Sequence, residues 1–175
     1  MAYDFLGLVN AVNRRLNEVE LSSANFASAT GFYSQAKDAV NASIRYLNQS
    51  EYFWPFNHNT QETTLVANTS RYAFPADAKV INFQSFRIKE NSSLGNATTR
   101  LTEIAYEDYL DRYVEQEYSS STGQGVPTQV AQAPNLFFIM TPEPDKAYEV
   151  VYEYYNFPTD LSAATDVPTI PERFQ

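Results

Sequence analysis

Apolar residues at Phe5, Val9, Val12, Leu16 and Val19 recur every three or four positions, a period that predicts an amphipathic helix over residues 3–20. Asp4 stands near its start, where a carboxylate suits the positive end of the helix dipole. The small, polar stretch Leu21 to Gly31 reads as a connection. A second helical stripe follows through Phe32, Ala36, Val40, Ile44 and Leu47 and ends before Trp54-Pro55. Two such stripes must hide against each other or against a neighbour, so an N-terminal helical hairpin or bundle is expected. The cluster Tyr52 to Phe56 marks the change to strand-like periodicity and is expected to plug a hinge between two layers.

From Thr63 the pattern becomes that of strands: TTLVA, RYAFPADAK and VINFQSFRIK. In the last, Val80, Asn82, Gln84, Phe86 and Ile88 alternate with Ile81, Phe83, Ser85 and Arg87, and neither set is purely polar. That mixture predicts a sheet packed on one face and touching something on the other. Asn91 to Thr99 reads as a turn-rich loop, Tyr106 to Glu117 as one short inserted helix, and Ser119 to Gly125 as a projecting loop.

The organising stretch is Asn135 to Tyr155, read as a β-hairpin around Pro142 and Pro144. Its first run, with Phe137, Phe138 and Ile139, is apolar throughout and should lie centrally in a sheet covered on both faces. Its second run places Tyr148, Val150, Tyr152 and Tyr154 on a buried face, with Glu149 and Glu153 on the other. The fold class expected is therefore α+β: a helical part over residues 1–57 and an antiparallel β-rich part over 58–175, a sandwich or partial barrel, with a helix at about 105–117.

Composition sharpens this picture mainly by exclusion. With no cysteine, neither a disulfide scaffold nor a thiolate metal site is available. No apolar run reaches the length of a membrane span, and Met1 to Asn10 lacks the features of a signal peptide, so a chain soluble from its first residue and no membrane partner are expected. Five Asn-X-Ser/Thr triplets, at Asn41, Asn48, Asn68, Asn91 and Asn96, follow from an Asn-, Ser- and Thr-rich composition. Thirteen tyrosines and twelve phenylalanines suit half-buried surfaces, interfaces among them. The net charge of −9 resides in the second half, because residues 1–89 balance almost to neutrality. A grip on nucleic acid through a basic patch is thereby disfavoured.

Candidate chemistry is sparse. The lone His58 lies in a polar stretch and reads as a solvated residue. Asp108, Asp111 and Glu115 share a helical face that could hold a divalent cation but reads as a solvated surface. Glu103, Glu107, Asp108 and Asp111 leave a carboxylate hydrolase formally open. There is no nucleophile motif, no phosphate-cradling glycine loop and no metal-ligand spacing, so no enzyme and no cofactor is expected.

Several signatures follow one another in order: Tyr72-Ala73-Phe74-Pro75-Ala76-Asp77, then Gly125-Val126-Pro127, then Leu136 to Pro142 with Pro144-Asp145. Tyr148 to Tyr155 comes next, then Phe157-Pro158, Leu161, Asp166 and Ile170-Pro171-Glu172-Arg173-Phe174. After a helical pair, that succession resembles the head-to-tail adaptor (connector) family of tailed bacteriophages, which includes the tail tubular protein A of short-tailed phages. The resemblance implies a structural virion protein, twelve copies to a ring, with the helical part facing the portal and the β-rich part facing the tail. It implies as partners the portal, a tail nozzle or tube protein, tail fibres, and viral DNA that passes without specific binding. It implies a place in the virion neck after assembly in the host cytoplasm. Acids such as Glu115, Glu117, Glu149 and Glu153 would line or flank the channel. Family members continue beyond Ile170 to Phe174 into further helices, and this sequence stops at Gln175, so the helical part is expected to be a fragment or to rely on neighbours. The alternative is a carbohydrate- or receptor-binding β-sandwich of the tail that stacks sugars on exposed tyrosines.

Overall fold

A computed structural model describes residues 3–92, 95–118 and 123–172. The chain divides into two compact units, Met1–Asn57 with Phe157–Gln175, and His58–Asn156. The architecture is α+β, as the periodicities imply, with no closed barrel among the described residues.

The helical unit is built from α1 (Phe5–Arg15), a single turn α2 (Ser23–Phe26) and α3 (Phe32–Ser50). Helix α1 stops before the expected residue 20 because Asn17 adopts φ 58°. Glu18 N–H then donates to Asn13 O at 2.9 Å and Asn17 N–H to Arg14 O at 3.2 Å, a Schellman closure with asparagine in the usual place of glycine. Leu16 and Val19 consequently lie outside the stripe and are 57% and 74% exposed. The presumed connection contributes to the core, since Leu21 and Phe26 are buried and the Phe26 ring meets Phe5 edge-on at 5.2 Å. On α3 the buried positions are Ala36, Val40, Ile44 and Asn48, one ridge at steps of four, while Phe32 and Leu47 are partly exposed.

The segment after Asn156 belongs to this unit, which corrects the expected boundary of 58–175. The physical reason lies in its anchors. Leu161 and Ile170 join the cluster of Phe5, Val9, Val40 and Ile44. Asp166 O and Ala164 O accept from Phe5 N–H and Leu6 N–H at 2.7 and 3.0 Å, satisfying donors that the first turn of a helix leaves open. The Asp4 carboxylate takes Gly7 N–H at 2.8 Å.

The sandwich unit contains two four-stranded sheets and a helical layer. One sheet has the order β1 (His58–Thr64), β8 (Glu149–Asn156), β3 (Ala78–Ser92), β4 (Gly95–Arg100). The other has the order β2 (Arg71–Ala73), β7 (Phe137–Thr141), β6 (Gln129–Ala133), β5 (Thr102–Ile104). All pairs are antiparallel except β5 with β6. The expected 135–155 hairpin does not form: β7 and β8 lie in different sheets, and the Pro142 to Pro144 segment carries the chain from one layer to the other. The hairpin that does form is β6–β7, closed through Pro134, Asn135 and Leu136, the last two at φ 63° and 60°. Leu136 is therefore a turn residue, 60% exposed.

The buried face of the second run stands as read. Tyr148, Val150, Tyr152 and Tyr154 are all buried, and the first three join Phe74, Phe86 and Phe138 in the core between the sheets. Strand β7 is central and apolar because both of its faces are covered. Phe138 and Met140 enter that core, whereas Ile139 packs with Tyr109, Ala131 and Ala133 beneath α4 (Tyr106–Arg112) and α5 (Val114–Tyr118). Phe137, at the strand's start, is 36% exposed. The single inserted helix is thus two, broken at Tyr113.

The mixed faces of β3 have a local cause. Asn82 pairs with Glu153 and Arg87 with Val151, so Phe83 to Phe86 together oppose Tyr152 in an extended bulge. The bulge restores the phase. Ile81 before it, Phe83 and Phe86 at its two ends and Ile88 after it pack on one side, with Phe86 and Phe83 stacked at 5.4 Å. Ser85 Oγ accepts Glu153 N–H at 2.8 Å and donates to Asn82 O at 2.6 Å, standing in for the interrupted ladder. The other face carries Asn82, Arg87 and Lys89 together with the apolar Val80, which stands opposite Tyr155. The expected loop at residues 91–99 is mostly strand, since β3 and β4 pair as far as Ser92 with Gly95.

Candidate interaction surfaces

Polar side chains splice the helical unit together, and asparagine supplies most of them. Asn10 Nδ2 donates to Leu21 O at 2.9 Å and its Oδ1 accepts Leu21 N–H at 2.8 Å. Asn41 repeats the device on Leu161, both bonds at 3.0 Å. A carboxamide offers a donor and an acceptor spaced like a peptide, so each of these residues acts as a one-residue strand partner. Asn57 donates to the buried Asn48 and accepts from Thr169 Oγ1 at 3.2 Å. The triplets at Asn41 and Asn48 are therefore structural. Those at Asn91 and Asn96 include side chains outside the described set, as do Ser119 to Thr122 of the projecting loop and Arg173-Phe174 of the last signature.

Between α1 and α3 runs a groove of about 520 Å³, lined by Leu8, Val12, Ile44, Leu47 and Ile170 with Arg15 at its rim. Its lining is mostly aliphatic. The expected aromatic plug lies in this same unit: Trp54 Nε1–H donates to Leu47 O at 3.0 Å and its ring stacks on Phe56 at 5.2 Å, while Tyr52 and Phe53 are 65% and 62% exposed.

The acids singled out by sequence occupy three environments. Glu149 and Glu153 lie on the outer face of the β1–β8–β3–β4 sheet, in cross-strand rows with Thr64 and Lys89, and with Thr60 and Asn82. Glu153 meets His58 Nε2 at 3.2 Å, and the His58 ring stacks on Tyr155 at 4.6 Å. His58 is thus the first residue of β1 with an acid and a ring beside it, which the polar reading of its neighbours concealed. Glu62 on β1 is held by Lys89, which reaches across β8 and keeps its carboxyl below the ordinary value. With Arg87 and Arg100 on the same face, this sheet surface is nearly charge-balanced.

Glu117 is engaged internally. Its carboxylate takes Arg71 Nε at 2.8 Å, Arg71 Nη2 at 3.0 Å and Ser70 Oγ at 2.9 Å, and its side chain is 12% exposed. Burial acts to raise its pKa, but the bonds from Arg71, Tyr109 and Ser70 outweigh burial and lower it. The same bond raises Arg71, and burial, with Glu117 adding to it, raises Tyr109. Glu117 therefore ties α5 to β2, a role that its place in an acidic run hid.

Glu115 is exposed on α5, and Asp108 and Asp111 are exposed on α4. Asp108 lies 3.9 Å from Arg112 one turn on. Among the described residues no three His, Cys, Asp or Glu side chains converge to hold a metal ion. A cleft of about 560 Å³ beside the β3 bulge is lined by Phe83, Gln84, Arg100, Thr102 and Glu103 and gathers one cation and one anion. No described helix is long and apolar enough to cross a membrane.

The profile of the SU10 adaptor protein family matches residues 3–175, and the chain belongs to that family. It is a bacteriophage adaptor, a structural protein of the virion, as the order of its motifs implied. No curated protein matches it.

Proposed function

We propose that the protein is the subunit of a head-to-tail adaptor ring that joins the portal of the capsid to the tail, in the manner of tail tubular protein A. The family match across residues 3–175 carries this reading. In the proposal the helical unit faces the portal and its α1–α3 groove receives an apolar element of that partner, while the sandwich unit faces the tail nozzle or tube and its fibres. Viral DNA crosses the ring without specific binding.

Of the four candidate channel acids, Glu115 is exposed on α5, the helix that follows the one exposing Asp108 and Asp111, and we assign it the repulsive role toward DNA. Glu149 and Glu153 lie on the outer face of the β1–β8–β3–β4 sheet, where bases offset them, and Glu117 is committed to Arg71. A polyanion within about a Debye length of such acids is repelled rather than held.

Quantitative mass spectrometry of purified particles tests the ring: twelve copies per particle are expected, and one or a few would overturn it. A native monomer that binds glycans would favour the tail-module alternative instead. Titration of the assembled ring with duplex DNA at low salt should show no binding, and tight, salt-sensitive binding would refute the repulsive channel.

A further inference from the structure

The two sheets of the sandwich unit end differently. In the sheet β2–β7–β6–β5 both edges are strands of three residues, Arg71–Ala73 and Thr102–Ile104, the short form in which proteins leave edges that must not pair. In the sheet β1–β8–β3–β4 the edges are long. Strand β1 pairs with β8 through seven unshifted registers from His58 to Thr64, and β4 pairs with β3 through six from Arg100 to Gly95. Neither edge strand contains a proline, a lysine or a bulge, the devices that blunt an edge.

Resting on the ring reading above, we infer that the joint between neighbouring copies is a strand-to-strand one, the β4 edge of one copy adding to the β1 edge of the next. Three observations choose this occupant. The first is direction. The four strands alternate strictly, so β1 and β4 run oppositely, and a neighbour in the same orientation presents its β1 antiparallel to β4. Every joint then repeats the one before it, as a closed ring of like copies requires.

The second observation is charge. Glu62, Glu149 and Glu153 occupy the β1–β8 side of the outer face and Arg87 and Arg100 the β3–β4 side, while Lys89 of β3 already reaches across to Glu62 within the copy. Unlike edges bring an acidic side to a basic one. Like edges would set Glu62 toward Glu62 or Arg100 toward Arg100.

The third is a cross-strand row. Glu62, Val151, Arg87 and Arg100 stand in line across the sheet, and the last two are like charges directly opposite each other, an unfavourable pair. With the register carried over unshifted, the next residue in that row is Glu62 of the neighbouring copy. The acid arrives where the isolated subunit has two cations side by side.

The absence of cysteine makes the joint directly testable. Thr98 on β4 and Thr64 on β1 are exposed and share the outer face. Within one copy they lie three strand spacings apart, about 14 Å, beyond the reach of a disulfide. A disulfide between cysteines at these positions can therefore form only between copies. Particles carrying Thr98→Cys together with Thr64→Cys, Glu62→Cys or Thr60→Cys sample successive two-residue staggers. Mild oxidation followed by non-reducing electrophoresis should give, for one of the three pairs, a ladder extending past the dimer, while each single variant stays monomeric. Dimers from a single variant with no longer ladder from any pair would show like edges meeting and overturn the inference. Twelve copies per particle with no ladder from any pair would leave the ring standing and place its joint elsewhere. One or a few copies per particle would remove the ring reading and this inference together.

Discussion

The two units of this protein are held by different forces. In the sandwich, aromatic rings fill the space between the sheets: Phe138 lies 5.6 Å from Tyr72, 5.0 Å from Phe74, 5.3 Å from Phe86 and 5.5 Å from Tyr152, ring centre to ring centre. The helical unit has a slimmer apolar core and splices separate chain segments with side-chain amides. Area removed from water stabilises the first; directional bonds to backbone groups define the second.

The largest expected effect tests the aromatic side of that contrast. Phe138→Ala removes a fully buried ring with four aromatic neighbours and should cost about 3–5 kcal/mol in a chemical denaturation experiment. Next comes the amide side. Asn41→Ala strips Leu161 of both backbone partners and should cost about 2 kcal/mol, with hydrogen exchange rising first near Leu161. If the two variants cost the same, the units are not held by different means.

A smaller effect concerns charge within the sandwich. Glu117→Gln should cost about 1 kcal/mol at neutral pH, a figure discounted because the Arg71 side chain is 38% exposed. The Glu117 carboxyl is lowered in the folded state, so its contribution is present above the ordinary carboxylate pKa. It fades as pH falls through the lowered value. Thermal melts of parent and variant should therefore converge in acid and separate toward neutrality. The smallest effect is expected where acids are only solvated: neutralising Asp108, Asp111 and Glu115 together should change stability by less than about 0.5 kcal/mol. Retained assembly of that triple variant would keep these acids as surface, whereas loss of assembly would make them a contact.

Periodicity made much of this legible. The stripe of Ala36, Val40 and Ile44 and the alternation of Tyr148, Val150, Tyr152 and Tyr154 describe faces that are in fact buried, because those residues obey a single period from end to end. Where a backbone irregularity resets the period, reading by pattern failed. Asn17 in a left-handed conformation ended α1 early, and the bulge at Phe83 to Phe86 made a one-sided strand look two-sided. Partner choice was equally hidden. Two strand-like runs joined through prolines satisfy a hairpin and a crossing between sheets alike, and only the core between the sheets distinguishes them. For the site, the acids were visible as an excess of charge, but which of them meets a cation depended on Arg71, Lys89 and His58, residues far from them along the chain.

The helical unit is made from both sides of an excursion of about a hundred residues, and that arrangement orders events during synthesis. When Asn57 has emerged from the ribosome, Phe5 and Val9 still lack Leu161 and Ile170, and Asn41 lacks the backbone it will clasp. The sandwich, continuous from His58 to Asn156, has all of its own sheet partners before Leu161 is made. The sandwich is therefore expected to fold first and the helical unit to close last, after a long loop has been bridged. A released chain that ends at Asn156 should resist protease over the sandwich and be cut within α1 and α3.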